Sequence, residues 1–240
     1  YINNYQTIIL EGKEIRTKTA SVMNEIKKYI GLDVLEQGTT QITIKSFLTI
    51  DREFAPHIII KKMNNIIRSL LENLEEFFDK GFSKQDLSEI KSLKDQIERL
   101  FFLIRKNIFL ILEYPGLMRS MQTSYLQIAK EKVIAHALKN ISILLYSSAR
   151  SFLLLENTKK EILPLKKVFL TVKESYNSLM NTVANKDYQR LPNLLHQFKL
   201  YIDEWEIILR SINDTLIVES MHNTIGCMIL FEDIAQQYLE

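Results

Sequence analysis

Turn-forming residues are scarce in this chain. Its 240 residues include six glycines and four prolines, and between Phe82 and Ile225 there are only Gly116 and three prolines. Sheets of that length need many reversals, and reversals draw on glycine, Asn-Gly pairs and proline. The scarcity leaves long helices joined by a few short connections, and it removes most catalytic folds from consideration. A single cysteine, Cys227, excludes an intrachain disulfide and fits a reducing compartment, so a cytoplasmic location is expected. Long hydrophobic runs are missing as well. The most apolar stretch, residues 101–112, is interrupted by Arg105, Lys106 and Asn107, so no transmembrane segment is expected. The first residues have neither a basic head nor an apolar signal core. Charge of one sign is absent too: 31 basic against 29 acidic residues give +2, which argues against a chain whose main task is coating a phosphate backbone.

What is present is ordinary for a globular chain, with 46% hydrophobic and 25% charged residues, enough for one large domain or two small ones. Residues 1–56 read as a small β-α-β-β module. Residues 5–10 (YQTIIL) suggest a strand, and residues 14–30 suggest a helix stopped at Gly31. That helix places Ile15, Ala20 or Val22, Ile26 and Ile30 on one side. Residues 32–36, a turn at Gln37-Gly38 and residues 41–47 alternate like a hairpin. Six helices follow, read at 57–80, 84–113, 120–156, 163–184, 188–212 and 215–238. The breaks fall at Gly81 with Ser83 as N-cap, Tyr114-Pro115-Gly116, Asn157-Thr158, Asn185 to Asp187, and Asn213-Asp214. The second helix carries a stripe of Leu93, Ile97, Leu100, Ile104, Ile108 and Ile111.

The helices also read as two sets of three, a tandem duplication. Asp95-x-x-Glu98 has a counterpart in Asp203-x-x-Glu206, each followed by an apolar run and an arginine. Both third helices end in a small-residue stretch, 147–149 and 233–235. The predicted architecture is therefore mainly α: two three-helix bundles, 57–158 and 159–240, preceded by the α+β module of 1–56.

Chemical motifs are few. The chain has no Gly-rich phosphate loop, no H-E-x-x-H and no cysteine pair. Glu219-x-x-His222 matches half of a di-iron pattern, but His136 and His196 are preceded three residues earlier by Val133 and Asn193, so the second half is missing. Asp95, Glu98, Asp203 and Glu206 are candidate hard-cation ligands, although carboxylates at such spacing more often form a solvated helix face. Lys159, Lys160, Lys166 and Lys167 form a basic group whose plain reading is also solvated surface, with anion binding the alternative. Met118, Met121, Met180, Met221 and Met228 read as core filling, and Cys227 as a small buried hydrophobe. Trp205 suggests a helix-helix edge and no role. No catalytic residues and no cofactor are expected, and the chain does not read as an enzyme.

Two passages carry a family resemblance. Residues 1–5 (YINNY) through Ile9, followed after a basic helix by residues 28–36 (KYIGLDVLE), form one. Residues 95–104 (DQIERLFFLI), an acidic pair before an aromatic-apolar run, form the other. With the helix order, the chain resembles the PhoU family of phosphate-uptake regulators, and looks closest to the archaeal branch in which an AbrB-like DNA-binding segment precedes the PhoU part. The resemblance implies a homodimeric regulator linked to phosphate uptake or phosphate signalling, as the dimerisation and sensing part of a transcriptional regulator. DNA would be contacted only through an upstream domain. The chain opens on Tyr1 rather than methionine, and a fragment of a longer chain is expected. The alternative is an accessory protein docking on a phosphate transporter or sensor kinase without DNA contact. PhoU proteins carry a Glu-x-x-x-Asp metal motif on the third helix of each unit. The matching positions here are Lys139 and Ile143, then Ile225 and Ile229, which cannot ligate such a metal. The expectation is a closed, metal-free bundle with Asp95, Glu98, Asp203 and Glu206 as isolated acids.

Overall fold

The computed structural model describes residues 1–47, 52–155 and 162–239. The break read at Asn157-Thr158, the boundary at 158/159 and Lys159 and Lys160 lie outside the described residues.

Three strands, β1 (Thr7–Glu11), β2 (Leu32–Gln37) and β3 (Gln41–Ser46), form an antiparallel sheet in the order β1-β3-β2, with helix α1 (Ile15–Ile26) between the first two. Alternation puts Ile8 and Leu10, Ile42 and Ile44, and Leu32 and Val34 on one face, where Ile15, Val22 and Ile26 of α1 close a small core. Of the two candidates on α1, Val22 faces this core and Ala20 is exposed. Register follows from the pairs Ile8↔Ile44, Leu10↔Ile42 and Val34↔Ile44. A bulge between Val34 and Glu36 leaves Leu35 unpaired and half exposed. The helix stops four residues earlier than expected. Gly31 does adopt a left-handed φ of +80°, but residues 27–30 already run in turns.

Helices dominate the rest, as expected: α2 (Pro56–Lys80), α3 (Lys84–Glu113), α4 (Gly116–Ser120), α5 (Tyr125–Leu155), α6 (Ile162–Ala184), α7 (Leu191–Leu209) and α8 (Thr215–Leu239). Local chemistry explains their ends. Pro56 opens α2, where its missing N–H costs nothing. Gly81, at φ +82°, ends it, its N–H donating to the Phe77 carbonyl at 2.9 Å. Ser83 caps α3 in a reciprocal box: its N–H reaches Asp86 Oδ2 at 2.7 Å, and the Asp86 N–H returns to Ser83 Oγ at 3.2 Å. Asp214 caps α8 through Oδ1, which accepts from the N–H groups of Leu216 and Ile217.

Two expected helices are shorter. The one read from 120 is broken: α4 stops at Ser120, Gln122 takes φ +52°, and α5 begins after Ser124, whose Oγ accepts the Gln127 N–H at 3.2 Å. The helix read from 188 starts with a 3-10 turn, Tyr188–Arg190, before Pro192 is accommodated in the first turn of α7.

Contacts divide the chain into two compact units, and α2, α3 and α5 contribute to both. Unit 1 comprises Tyr1–Lys62 and Glu98–Lys132. Unit 2 comprises Met63–Ile97 and Val133–Glu240. In unit 2, α6, α7 and α8 pack on one another. The later part of α2 joins them through Tyr176 Oη–H to Asn64 Oδ1 at 2.7 Å, an Arg68–Asn181 bond and a Lys173–Glu75 ion pair. The Phe77 and Phe152 rings stack 4.6 Å apart, and Phe198 and Tyr176 both pack on Phe231. Helices from both expected sets of three thus share one interior. Close approach of α5 and α8 is permitted by small residues: Ser148 Oγ lies 3.2 Å from Thr224 Oγ1, and a Cβ on Gly226 would sit 3.2 Å from Leu144 Cδ1.

Candidate functional site

The sequence-derived ligand candidates do not converge. Among the described residues no group of three or more His, Cys, Asp or Glu side chains comes together. Asp95 pairs with Lys94 at 3.1 Å, Glu98 lies in the field of Lys28 and Tyr29, and Asp203 and Glu206 are exposed on α7. Glu219, His222, His136 and His196 are exposed as well, so Glu219-x-x-His222 does not face a helix interior. At the four positions matching the family's metal motif, Lys139 is half-buried and Ile225 buried. Ile143 and Ile229, however, are 39% and 54% exposed. Two of the isoleucines thus lie at the surface rather than inside a closed bundle.

The lysines of α6 are spent on ion pairs. Lys166 holds Asp79 at 3.0 Å and Lys167 reaches Glu204 at 3.6 Å, so both described members of the basic group face carboxylates. Trp205 is buried rather than at an edge, with Lys167 Nζ 5.1 Å from its ring centroid and its Nε1 unpartnered. Cys227 is buried, and burial pushes its thiol up, which makes it inert as a nucleophile. Met121, Met180, Met221 and Met228 are buried and Met118 half-buried, so they fill the core.

The arrangement with chemical potential lies in unit 1, on α3. Between Phe101 and Leu112 this helix is buried almost all round. Only Phe109 and Leu112 are exposed, with Phe102 and Arg105 half-buried, and these four lie on one strip at helical spacing. Two open cavities meet along it. The larger, about 540 Å³, is lined by Tyr5, Ile8, Val22, Tyr29, Arg105 and Phe109 among others, so it runs under the sheet and α1. The second, about 290 Å³, lies between α3 and the start of α5, and it shares Arg105 and Phe109 and adds Leu112, Tyr125 and Lys132.

Charge at this strip is unbalanced. The Arg105 guanidinium rests 5.9 Å from the Phe101 ring, and among the described residues no carboxylate pairs with it or with Lys132. Glu25, also at the larger cavity, is occupied by Lys28 at 2.7 Å. The Tyr29 phenol is held above its usual range by burial and by Glu25, so it stays a neutral donor. Apolar walls with a few polar groups are the usual composition of a small-molecule site.

Behind the strip, Lys106 is 2% exposed, donates to Ser46 Oγ at 2.7 Å and faces the Tyr1 ring at 4.7 Å. Burial lowers the pKa of its ammonium. Asn107 donates to the Phe54 carbonyl. These residues interrupt the apolar run in the sequence, and that interruption was the available signal. Polar residues inside a helix otherwise buried on all sides must find partners, and these two tie α3 to the module and to the segment before α2.

The fold is mainly α with a small antiparallel sheet preceding the long helices, and among the described residues no helix is long and apolar enough to cross a membrane. Compared with known proteins, the chain matches no family model, no curated protein and no solved structure.

Proposed function

We propose that the chain is a regulatory interaction protein, a PhoU-like helical scaffold that dimerises and senses or relays phosphate status for a transcriptional regulator whose DNA-binding part lies upstream. The observation that carries the interaction reading is the pair Ile143 and Ile229. They occupy corresponding positions of α5 and α8, one residue from Leu144 and three from Gly226, where those helices touch, and both are exposed. Isoleucine side chains held at the surface beside a tight helix contact suit a protein-protein surface better than a ligand site. An isologous pair built on them would hold two upstream heads at fixed spacing. The link to phosphate rests on the resemblance of residues 1–9, 28–36 and 95–104 to that family.

Light scattering on the 240-residue chain tests the scaffold. A dimer that Ile143→Glu with Ile229→Glu converts to monomer is the expected result, and a strict monomer at high protein concentration contradicts it. For the longer chain, a salt-sensitive shift of promoter DNA supports the regulator. Co-purification with membrane components and no such shift supports the transporter-side alternative instead.

A further inference from the structure

We propose that the paired cavities of unit 1 bind a single-chain fatty carboxylate, with its head group on Arg105 and Lys132 and its chain in the larger cavity under the sheet. This does not depend on the phosphate reading, and either can fail alone.

Three observations lead there. The larger cavity, about 540 Å³, falls within the ~300–1,000 Å³ of small-molecule sites. Its walls are mainly aliphatic and aromatic: Ile8, Leu10, Val22, Ile26, Leu32 and Ile44 line it from the module. Such walls offer a hydrocarbon chain burial and offer a polar metabolite little.

The charges left without an ion-pair partner at its mouth have one sign. Arg105 lines both cavities, Lys132 lines the second, and neither is paired with a carboxylate among the described residues. A half-buried guanidinium next to apolar surface presents several donors in a fork that matches a carboxylate. Glu25, the acid at the larger cavity, is held by Lys28. An anion is therefore favoured over a cation. One arginine at the shared wall suits a singly charged head, whereas a phosphate dianion would call for more donors than are gathered here.

The third observation concerns α3 itself. A helix buried on nearly every side keeps one strip open, and that strip is Phe102, Arg105, Phe109 and Leu112. Phe109 and Leu112 are 45% and 49% exposed, so the apolar surface continues from the cavity mouth towards Tyr125. An amphiphile laid along the strip would cover these side chains while meeting the one cation among them.

Isothermal titration of the 240-residue chain with dodecanoate, kept below micelle formation, tests this. One molecule should bind per chain, and hexanoate should bind about a hundredfold or more weakly, because each methylene removed from the cavity loses burial. Arg105→Gln should weaken dodecanoate about tenfold, and Arg105→Lys, which keeps the charge and loses the fork, should recover only part of that loss. Val22→Trp, which fills the larger cavity, should abolish binding while the helical circular dichroism is retained. Arg105 is only half-buried, so the Arg105 pair of variants reports on binding even if the Val22 variant misfolds. The proposal is overturned by the absence of binding heat, by equal affinity of Arg105→Gln, or by dodecyltrimethylammonium binding as tightly as dodecanoate. It is also overturned if an acidic amphipathic peptide binds while dodecanoate does not.

Discussion

Unit 2 and unit 1 are built from the same kinds of residue and use them differently. In unit 2 the largest side chains, Trp205, Tyr176, Phe152, Phe169, Phe198 and Phe231, are essentially inaccessible, and their polar neighbours are tied by Tyr176–Asn64 and Ser148–Thr224. In unit 1 the core of the module consists of three buried isoleucines with partly buried neighbours, and a cavity opens beside it. α1 contributes only Ile26 as a fully buried residue. Large buried aromatics fill the interior of unit 2. Small aliphatics on a three-stranded sheet give the module of unit 1 a shallow one, and a shallow interior leaves room for a ligand.

The sharpest way to break this contrast is to truncate one aromatic in each unit. Phe231→Ala should cost about 3–5 kcal/mol by urea unfolding, as transfer and cavity terms add in a closed interior. Phe109→Ala, on the open strip, should stay within about 0.5 kcal/mol. A similar cost for Phe109→Ala would mean that the strip is covered in the folded chain rather than open.

Next in size is the hydroxyl network of α5 and α8. Ser148 bonds Thr224 and the Ser220 carbonyl, so Thr224→Val, which leaves buried Ser148 short of a partner, should cost about 1–2 kcal/mol. Ser220 Oγ is buried without a partner, so Ser220→Ala should be neutral or stabilising in the same assay.

The capping box on α3 should be worth about 1 kcal/mol, read as the loss on Ser83→Ala. It also has a pH signature. The Ser83 hydroxyl and N–H hold the Asp86 carboxyl below its ordinary value. The folded pKa is thus below the unfolded one, near ~3.9, so the contribution is complete above that value and disappears as pH falls through the folded one. The gap between native and Ser83→Ala chains should therefore narrow in acid, down to the share of the Asp86 N–H to Ser83 Oγ bond.

The smallest expected effect has the opposite sign and belongs to unit 1. Glu131 is 2% exposed, burial raises its pKa, and Gln127 donates to it at 2.8 Å. Between the unfolded value, near ~4.3, and the raised folded one, the folded chain binds more protons, so stability falls as pH rises. Glu131→Gln should raise the thermal midpoint slightly at neutral pH and flatten its pH dependence through that window. A lower midpoint at neutral pH would show that the buried charge is compensated.

Much of this fold was legible because its punctuation is local. Gly81, Ser83 and Asp214 mark helix ends through φ angles and cap bonds that a sequence can display. The break between α4 and α5 was not legible, because Gln122 takes a left-handed φ where no glycine or asparagine announces it. The site was less legible still. The 3.6-residue period explains a stripe facing one core, and α3 satisfies that stripe at Ile97, Ile104, Ile108 and Ile111. It is also buried on other sides by the module, and which apolar residue remains uncovered depends on tertiary neighbours. The same reason hid the exposure of Ile143 and Ile229.

Amide hydrogen exchange followed segment by segment tests the central contrast most directly. Amides of α6 and α8 should exchange only through global unfolding, and those of α1 and β2 orders of magnitude faster through local opening. Equal protection of α1 and α8 would contradict the account.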